Sequence, residues 1–137
     1  MRDMLIADGF TVDYVTEPLS QRELAAHFAD CEFYVHLVRP EGLPMIALEA
    51  MLSGTIVVGT TGGGGNEFMF DGQTAMVVSD PEAGHYSEEE FLVGILGKLR
   101  ELRDHPELRS RIWNRAHEWS KRYNAQVTID QLKKVFK

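Results

Sequence analysis

Cysteine, basic residues and long apolar runs are all scarce in these 137 residues. The single cysteine, Cys31, excludes an internal disulfide framework and a cysteine-based metal site, and it fits a reducing compartment. Fourteen Lys and Arg stand against 21 Asp and Glu, a formal charge of −7, so the electrostatic footprint of a nucleic-acid binder is missing. No basic run marks a membrane surface, and no apolar stretch approaches the roughly 20 residues that a bilayer requires. The start, Met1-Arg2-Asp3-Met4-Leu5-Ile6-Ala7-Asp8, is too acidic for a secretory signal, so a cytoplasmic protein is the expectation. His27, His36, His85, His105 and His117 are scattered without ligand spacing, and no metal is expected; His36 alone lies near a strand end. Repeats and low-complexity tracts are absent apart from four glycines, Gly62 to Gly65. The length suits one domain with a real core.

What is present concentrates between Arg39 and Gly54. Gly42 frees the backbone to turn, Pro44 suits the start of a helix, and Gly54 suits its left-handed stop, which predicts a helix from about Leu43 to Ser53. Every residue from Met45 to Leu52 is apolar except Glu49, and a helix apolar all round is expected to be buried. Glu49 is thereby carried toward the interior, where an ionised carboxylate needs donors. These come either from the protein, Arg39 being one source, or from a ligand. Glu41 stands just ahead of the helix.

Elsewhere the pattern alternates. Residues 1 to 11 form a helical or irregular lead-in, Val12 to Val15 reads as a short strand, and Ser20-Gln21-Arg22-Glu23 is a capping box opening a helix with Leu24, Ala25 and Phe28 on its apolar face. Cys31 to Val38 reads as a buried strand, 55 to 59 as another and 75 to 78 as a last one, with a short helix from Asn66 between the last two. Ser87-Glu88-Glu89-Glu90 is a second capping box, and its helix runs to about Arg103 with Phe91, Leu92, Ile95, Leu99 and Leu102 on one side. A helix from Pro106 to about Tyr123 follows, and Asn124 caps a last one bearing Val127, Leu132 and Phe136. Trp113 and Trp119 are expected in the core or an interface. Strands alternating with helices predict an α/β fold: a Rossmann-like, doubly wound parallel sheet with C-terminal helices, whose ligands collect at the carboxyl ends of the strands.

The glycine run does not make G-x-G-x-x-G, and from Gly59 the P-loop spacing ends on Gly65-Asn66 where Lys and Ser or Thr are required. A tight strand-to-helix turn is the plainer reading, with Asn66 as a helix cap and Glu67 as a first-turn acid.

Glu41 and Glu49, in the form E-G-L-P-x-x-x-L-E-A-M-x-x-G, resemble the donor-site motif of retaining glycosyltransferases with the two-domain GT-B fold, called family four or group one. Thr55-Ile56-Val57-Val58-Gly59 is similar to the family's buried strand P-V-V-A, Gly63-Gly64-Gly65-Asn66-Glu67 to its G-G-x-x-E, and Asp71 to Val78 to its D-G-x-x-G-x-L-V. The resemblance covers about Val12 to the end. It implies half of a GT-B architecture: residues 1–137 as a single, partial C-terminal nucleotide-sugar-binding domain, without the N-terminal acceptor domain. It also implies transfer of a sugar from a nucleotide-sugar donor during carbohydrate biosynthesis, with no cofactor and no metal.

On that reading Glu41 is the catalytic residue and sits by the donor sugar. The backbone of Gly42, Leu43, Pro44 and Met45 serves the sugar and phosphates, and Glu49 takes the ribose. Arg39, Gly63 and Gly64 are candidates for the phosphate side of the cleft. The chemistry suits the ligand, because helix-start amides serve phosphates and carboxylates accept from diols. Two departures from the family stand out. Leu37-Val38 replaces a Pro-Ser pair, and the basic Arg and Lys that neutralise the leaving diphosphate lie upstream of anything that matches here. Without that clamp the isolated chain is expected to be inactive. The partners implied are a nucleotide sugar and an N-terminal acceptor-binding domain or separate chain, and attachment to the inner membrane face would come through the missing parts. The alternatives are a non-catalytic nucleotide-sugar module, one half of a split transferase docking through its last helix, and a Rossmann-like domain with no ligand.

Overall fold

The computed structural model describes residues 1–38, 40, 42–79, 87–123, 130, 133 and 134. A short helix α1 (Arg2–Ala7) is followed by an irregular segment, so the strand expected at Val12 to Val15 is not formed. Val12 packs against the core from this segment while Tyr14 and Val15 stay exposed, and no neighbouring strand offers them a hydrogen-bonding edge among the described residues. Helix α2 (Gln21–Asp30) opens with the expected capping box: the Glu23 amide donates to the Ser20 hydroxyl and the Ser20 amide donates back to the Glu23 carboxylate.

Among the described residues the sheet has three parallel strands in the order β1 (Phe33–His36), β2 (Ile56–Gly59), β3 (Met76–Val77). β2 is the central strand and all four of its residues are buried, which is what a continuous apolar run signals in a parallel sheet. Alternation sends its side chains to opposite faces. Ile56 and Val58, with Met76, join Leu5 of α1 and Phe91, Ile95, Leu99 and Leu102 of helix α4 (Glu88–Asp104). Val57 joins Phe28 of α2, Phe68, and Ala47, Leu48 and Met51 of helix α3 (Met45–Leu52). Helix α5 (Pro106–Ser120) contributes Ile112 to the first cluster and Ala116 to the second. Helices therefore cover both faces of an open parallel sheet, the doubly wound α/β arrangement. The last helix expected after Asn124, with Val127, Leu132 and Phe136, lies outside the described residues.

One glycine is indispensable to the sheet. Gly59 pairs with His36, and a Cβ at Gly59 would lie 1.8 Å from the His36 carbonyl oxygen, so no larger residue fits between the strands.

Helix α3 corrects an expectation. Ala47, Leu48, Ala50 and Met51 are buried, but Met45, Ile46 and Leu52 are 50%, 44% and 38% exposed. At 100° per residue, Met45, Ile46, Glu49 and Leu52 share one arc, and Glu49 sits near its middle. Its side chain is only half-buried. The helix is apolar all round, yet among the described residues nothing covers its outer arc, so burial does not follow from composition here.

Candidate functional site

The loops at the carboxyl ends of β1 and β2 meet at the start of α3. The Thr60 amide donates to the His36 carbonyl at 3.0 Å, and its hydroxyl donates to the Val38 carbonyl at 3.2 Å, tying the two outgoing loops together. His36 itself is buried, with Nδ1 3.4 Å from the Tyr34 hydroxyl. After Thr60 the chain turns through Gly62 and Gly63, at φ 61° and 92°, a left-handed conformation that side chains rarely adopt. The next four residues, Gly64–Glu67, form a single 3₁₀ turn. Asn66 lies inside that turn and Gly63 occupies the cap position, which corrects the expectation of a helix capped by Asn66.

Gly65 links this turn to α3. A Cβ there would come within 2.9 Å of Met69 Sδ, 3.2 Å of Thr61 Cβ and 3.4 Å of Pro44 Cγ. The sequence alone does not foretell this contact, which seats the buried Pro44 ring against the glycine turn. Pro44 is the N-cap residue of α3 rather than its first turn, and it has no side-chain acceptor to offer. The Met45 amide donates to the Leu43 carbonyl at 2.8 Å and the Leu48 amide to the Pro44 carbonyl at 3.2 Å. Among the described residues the amides of Ile46 and Ala47 are left without an acceptor. No acidic residue occupies the first turn to neutralise the positive end of the helix dipole.

At the same carboxyl edge lies a small cavity of about 240 Å³ between the loops that leave β2 and β3. Thr60, Thr61, Gly63, Asn66 and Ser79 supply its polar atoms. Gly63 lines it, whereas Gly64 is half-buried within the 3₁₀ turn and does not. Thr60 and Thr61 are cleft residues that sequence reasoning passed over; the signal available was a pair of hydroxyls directly between a buried strand and a glycine run.

The sequence-predicted residues are thus distributed as follows. Gly42, Leu43, Pro44 and Met45 form the approach to α3 and its first turn, with Gly42, Leu43 and Met45 exposed. Glu49 stands one turn further along, on the same arc as Met45. Among the described residues its carboxylate has no hydrogen-bond or ion-pair partner. Arg39 and Glu41 lie outside the described residues.

The Asp8 carboxyl is held below its ordinary value, chiefly by the hydrogen bond from Arg100; Glu23 is lowered by Ser20 and Glu118 by Lys121. Burial pushes the Cys31 thiol up. The described residues hold no group of three or more His, Cys, Asp or Glu placed to share a metal ion, and no helix among them is long and apolar enough to cross a membrane.

Three comparisons with known proteins bear on this geometry. The family model of group 1 glycosyl transferases matches residues 7–88, a span that includes all three strands, α3 and the glycine turn. An uncharacterised glycosyltransferase of Methanocaldococcus jannaschii is 27% identical over 114 residues, 83% of this chain and 30% of its own length. The D-inositol 3-phosphate glycosyltransferases of Pseudarthrobacter chlorophenolicus and an Arthrobacter species are 35% and 32% identical, over 61% and 64% of this chain and 20% and 21% of their own lengths. The chain therefore spans less than a third of the curated relatives it matches. No solved structure matches it. With the family model covering more than half of the residues, on a parallel α/β sheet whose carboxyl edge carries an open helix start, the chain belongs to the group 1 glycosyl transferases.

Proposed function

We propose that this chain is the C-terminal, donor-binding domain of a retaining GT-B glycosyltransferase, holding a nucleotide sugar at the start of α3. The observation that carries this reading is the uncapped first turn of α3 beside the glycine turn, at the carboxyl edge of the sheet. A diphosphate asks for unspent amides at the positive end of a helix, and a ribose or sugar diol asks for an unengaged carboxylate. The exposed Ile46 supplies the first, at the positive end of the helix dipole, and Glu49 the second. Met45 shares the arc of Glu49, so a ligand on that carboxylate lies over apolar surface and excludes water from it. Glu41 takes the donor sugar and acts as the catalytic residue, with Gly42 to Met45 lining the sugar and phosphates and Arg39 on the phosphate side.

Transfer to an acceptor belongs to the parent protein. The leaving diphosphate needs cationic stabilisation from an Arg and Lys pair that the matched motifs of this chain do not include, so the purified 137 residues are expected to be inactive or nearly so; detectable sugar transfer by them contradicts that expected inactivity. Calorimetric titration with UDP, GDP, ADP and their sugar conjugates tests binding. Saturable binding of one nucleotide, weakened about tenfold or more by Glu49→Ala, is the expected result; silence toward all of them overturns the reading.

A second reading, docking of a separate acceptor-binding chain, is favoured by the exposed apolar residues at this edge. Leu37, Val38 and Leu43 are 39%, 50% and 43% exposed next to the outer arc of α3. Such a cluster suits an apolar interface. Co-purification of a partner chain that is lost on Ile46→Asp distinguishes it.

A further inference from the structure

At the opposite, amino edge of the sheet lies a larger concavity, a groove of about 520 Å³ between the approach to β1, the start of β2 and the outer side of α5. Its size falls in the range of small-molecule sites, and no residue assigned to the donor lines it. The groove meets a tryptophan that is 42% exposed, Trp113, for which the core or an interface was expected. The ring is not loose. Its Nε1 donates to the Gly54 carbonyl at 2.7 Å, and His117 stacks on it with centroids 5.6 Å apart and planes 9° apart. Trp113 and Gly54 both line the groove, and His117 does not. A held, partly exposed indole at a groove wall that has already spent its only donor can offer ring carbons to an apolar ligand surface.

Polar groups ring that platform. Arg109 reaches the Glu32 carboxylate only at 3.4 Å, which leaves most of its guanidinium donors unused. Asn114 spends one of its two amide N–H donors on the Ser110 carbonyl at 2.9 Å, leaving the other and its oxygen open among the described residues. The Ser110 hydroxyl and the Asp30 carboxylate line the same groove, without partners among the described residues. The formal charge of Arg109, Asp30 and Glu32 together is small, so neither a strong anion nor a strong cation is matched.

We propose that this groove binds a neutral saccharide, with the apolar face of a pyranose ring on Trp113 and its hydroxyls between the Arg109 and Asn114 donors and acceptors and the Asp30 carboxylate. A sugar ring has the required shape: C–H groups on one face and hydroxyls, each both donor and acceptor, around the rim. An aromatic metabolite would use the platform but leave the ring of acceptors unmatched, and a phosphate would meet Asp30 and Glu32. The site is independent of α3 and does not rest on the donor reading.

The test is titration of the full chain with glucose, mannose, galactose and maltose, followed by Trp113 fluorescence and calorimetry, on wild type and on Trp113→Leu, Arg109→Gln and Asn114→Ala. Saturable binding of at least one sugar is expected, with an indole emission change, weakened about tenfold by Trp113→Leu and several-fold by Arg109→Gln. It is expected to persist unchanged in Glu49→Ala and in saturating nucleotide. Trp113→Leu also removes the bond to Gly54; where its circular dichroism shows a lost fold, Arg109→Gln and Asn114→Ala, which leave that bond intact, decide the matter. Absence of saturable binding by every sugar overturns the proposal. So does binding with unchanged affinity in all the folded groove variants, or binding abolished by Glu49→Ala, which would place the sugar on α3 instead.

Discussion

Helices α4 and α3 pack beside the same strand and are built to opposite rules. α4 has 17 residues, a complete capping box at Ser87, three acidic residues in its first turn and Arg103 in its last. These features satisfy its ends or complement its dipole, and Phe91, Ile95, Leu96, Leu99 and Leu102 form one buried stripe, with Val93 left exposed on the other side. α3 has eight residues, a proline for a cap, no acid in its first turn and an apolar arc left outside. A helix under selection for stability alone would resemble α4. The difference leaves the start and outer arc of α3 available to something that is not part of the described core.

The sharpest way to break both helices at once is to part the strands that carry them. Gly59→Ala drives a methyl into the His36 carbonyl and is expected to abolish cooperative folding, read as loss of the circular dichroism transition on heating. Next come the inner arcs, where the two helices should behave alike. Leu48→Ala in α3 and Ile95→Ala in α4, at 2% and 0% exposure, are each expected to cost about 2–5 kcal/mol in urea unfolding. A much smaller loss at Leu48 would mean that α3 contributes little to the core.

Smaller effects separate the helices. Ser87→Ala removes a cap whose hydroxyl accepts from the Glu90 amide and is expected to cost about 1 kcal/mol, whereas Ile46→Gln on the outer arc should change stability by less than about 0.5 kcal/mol. Equal costs would contradict the contrast. The smallest effect is electrostatic. Asp8 ties the end of α1 to α4 through Arg100 and Arg103, and its folded pKa lies below the ordinary carboxylate value. A depressed pKa gives stability that is complete above the unfolded value and lost as pH falls through the folded one. Wild type and Asp8→Asn should therefore differ in urea midpoint at neutral pH and converge in acid, below the ordinary carboxylate range.

The same contrast explains what the sequence reveals. Both capping boxes are legible because their partners are three residues apart and their geometry is local. The stripe of α4 and the run of β2 are legible because hydrophobic period reports burial when the covering surface lies within the chain. Val12 to Val15 alternates like a strand but lacks a hydrogen-bonding neighbour, and pairing is not encoded in the strand itself. The outer arc of α3 is misread for the converse reason: apolar composition says that a surface is suited to burial and cannot say what buries it. The site is legible as a run of residues, from Gly42 to Glu49, while the seating of Pro44 on Gly65 and the exposure of Trp113 depend on contacts between segments distant in sequence.

The central claim is that the first turn of α3 is kept open for the donor diphosphate. Amide-resolved NMR of the labelled chain, titrated with the nucleotide diphosphate that binds most tightly, tests it directly. The account predicts the largest shifts at the Gly42, Leu43, Met45, Ile46 and Ala47 amides, with α4 silent. Shifts confined to other parts of the molecule, or none with any nucleotide, would contradict it.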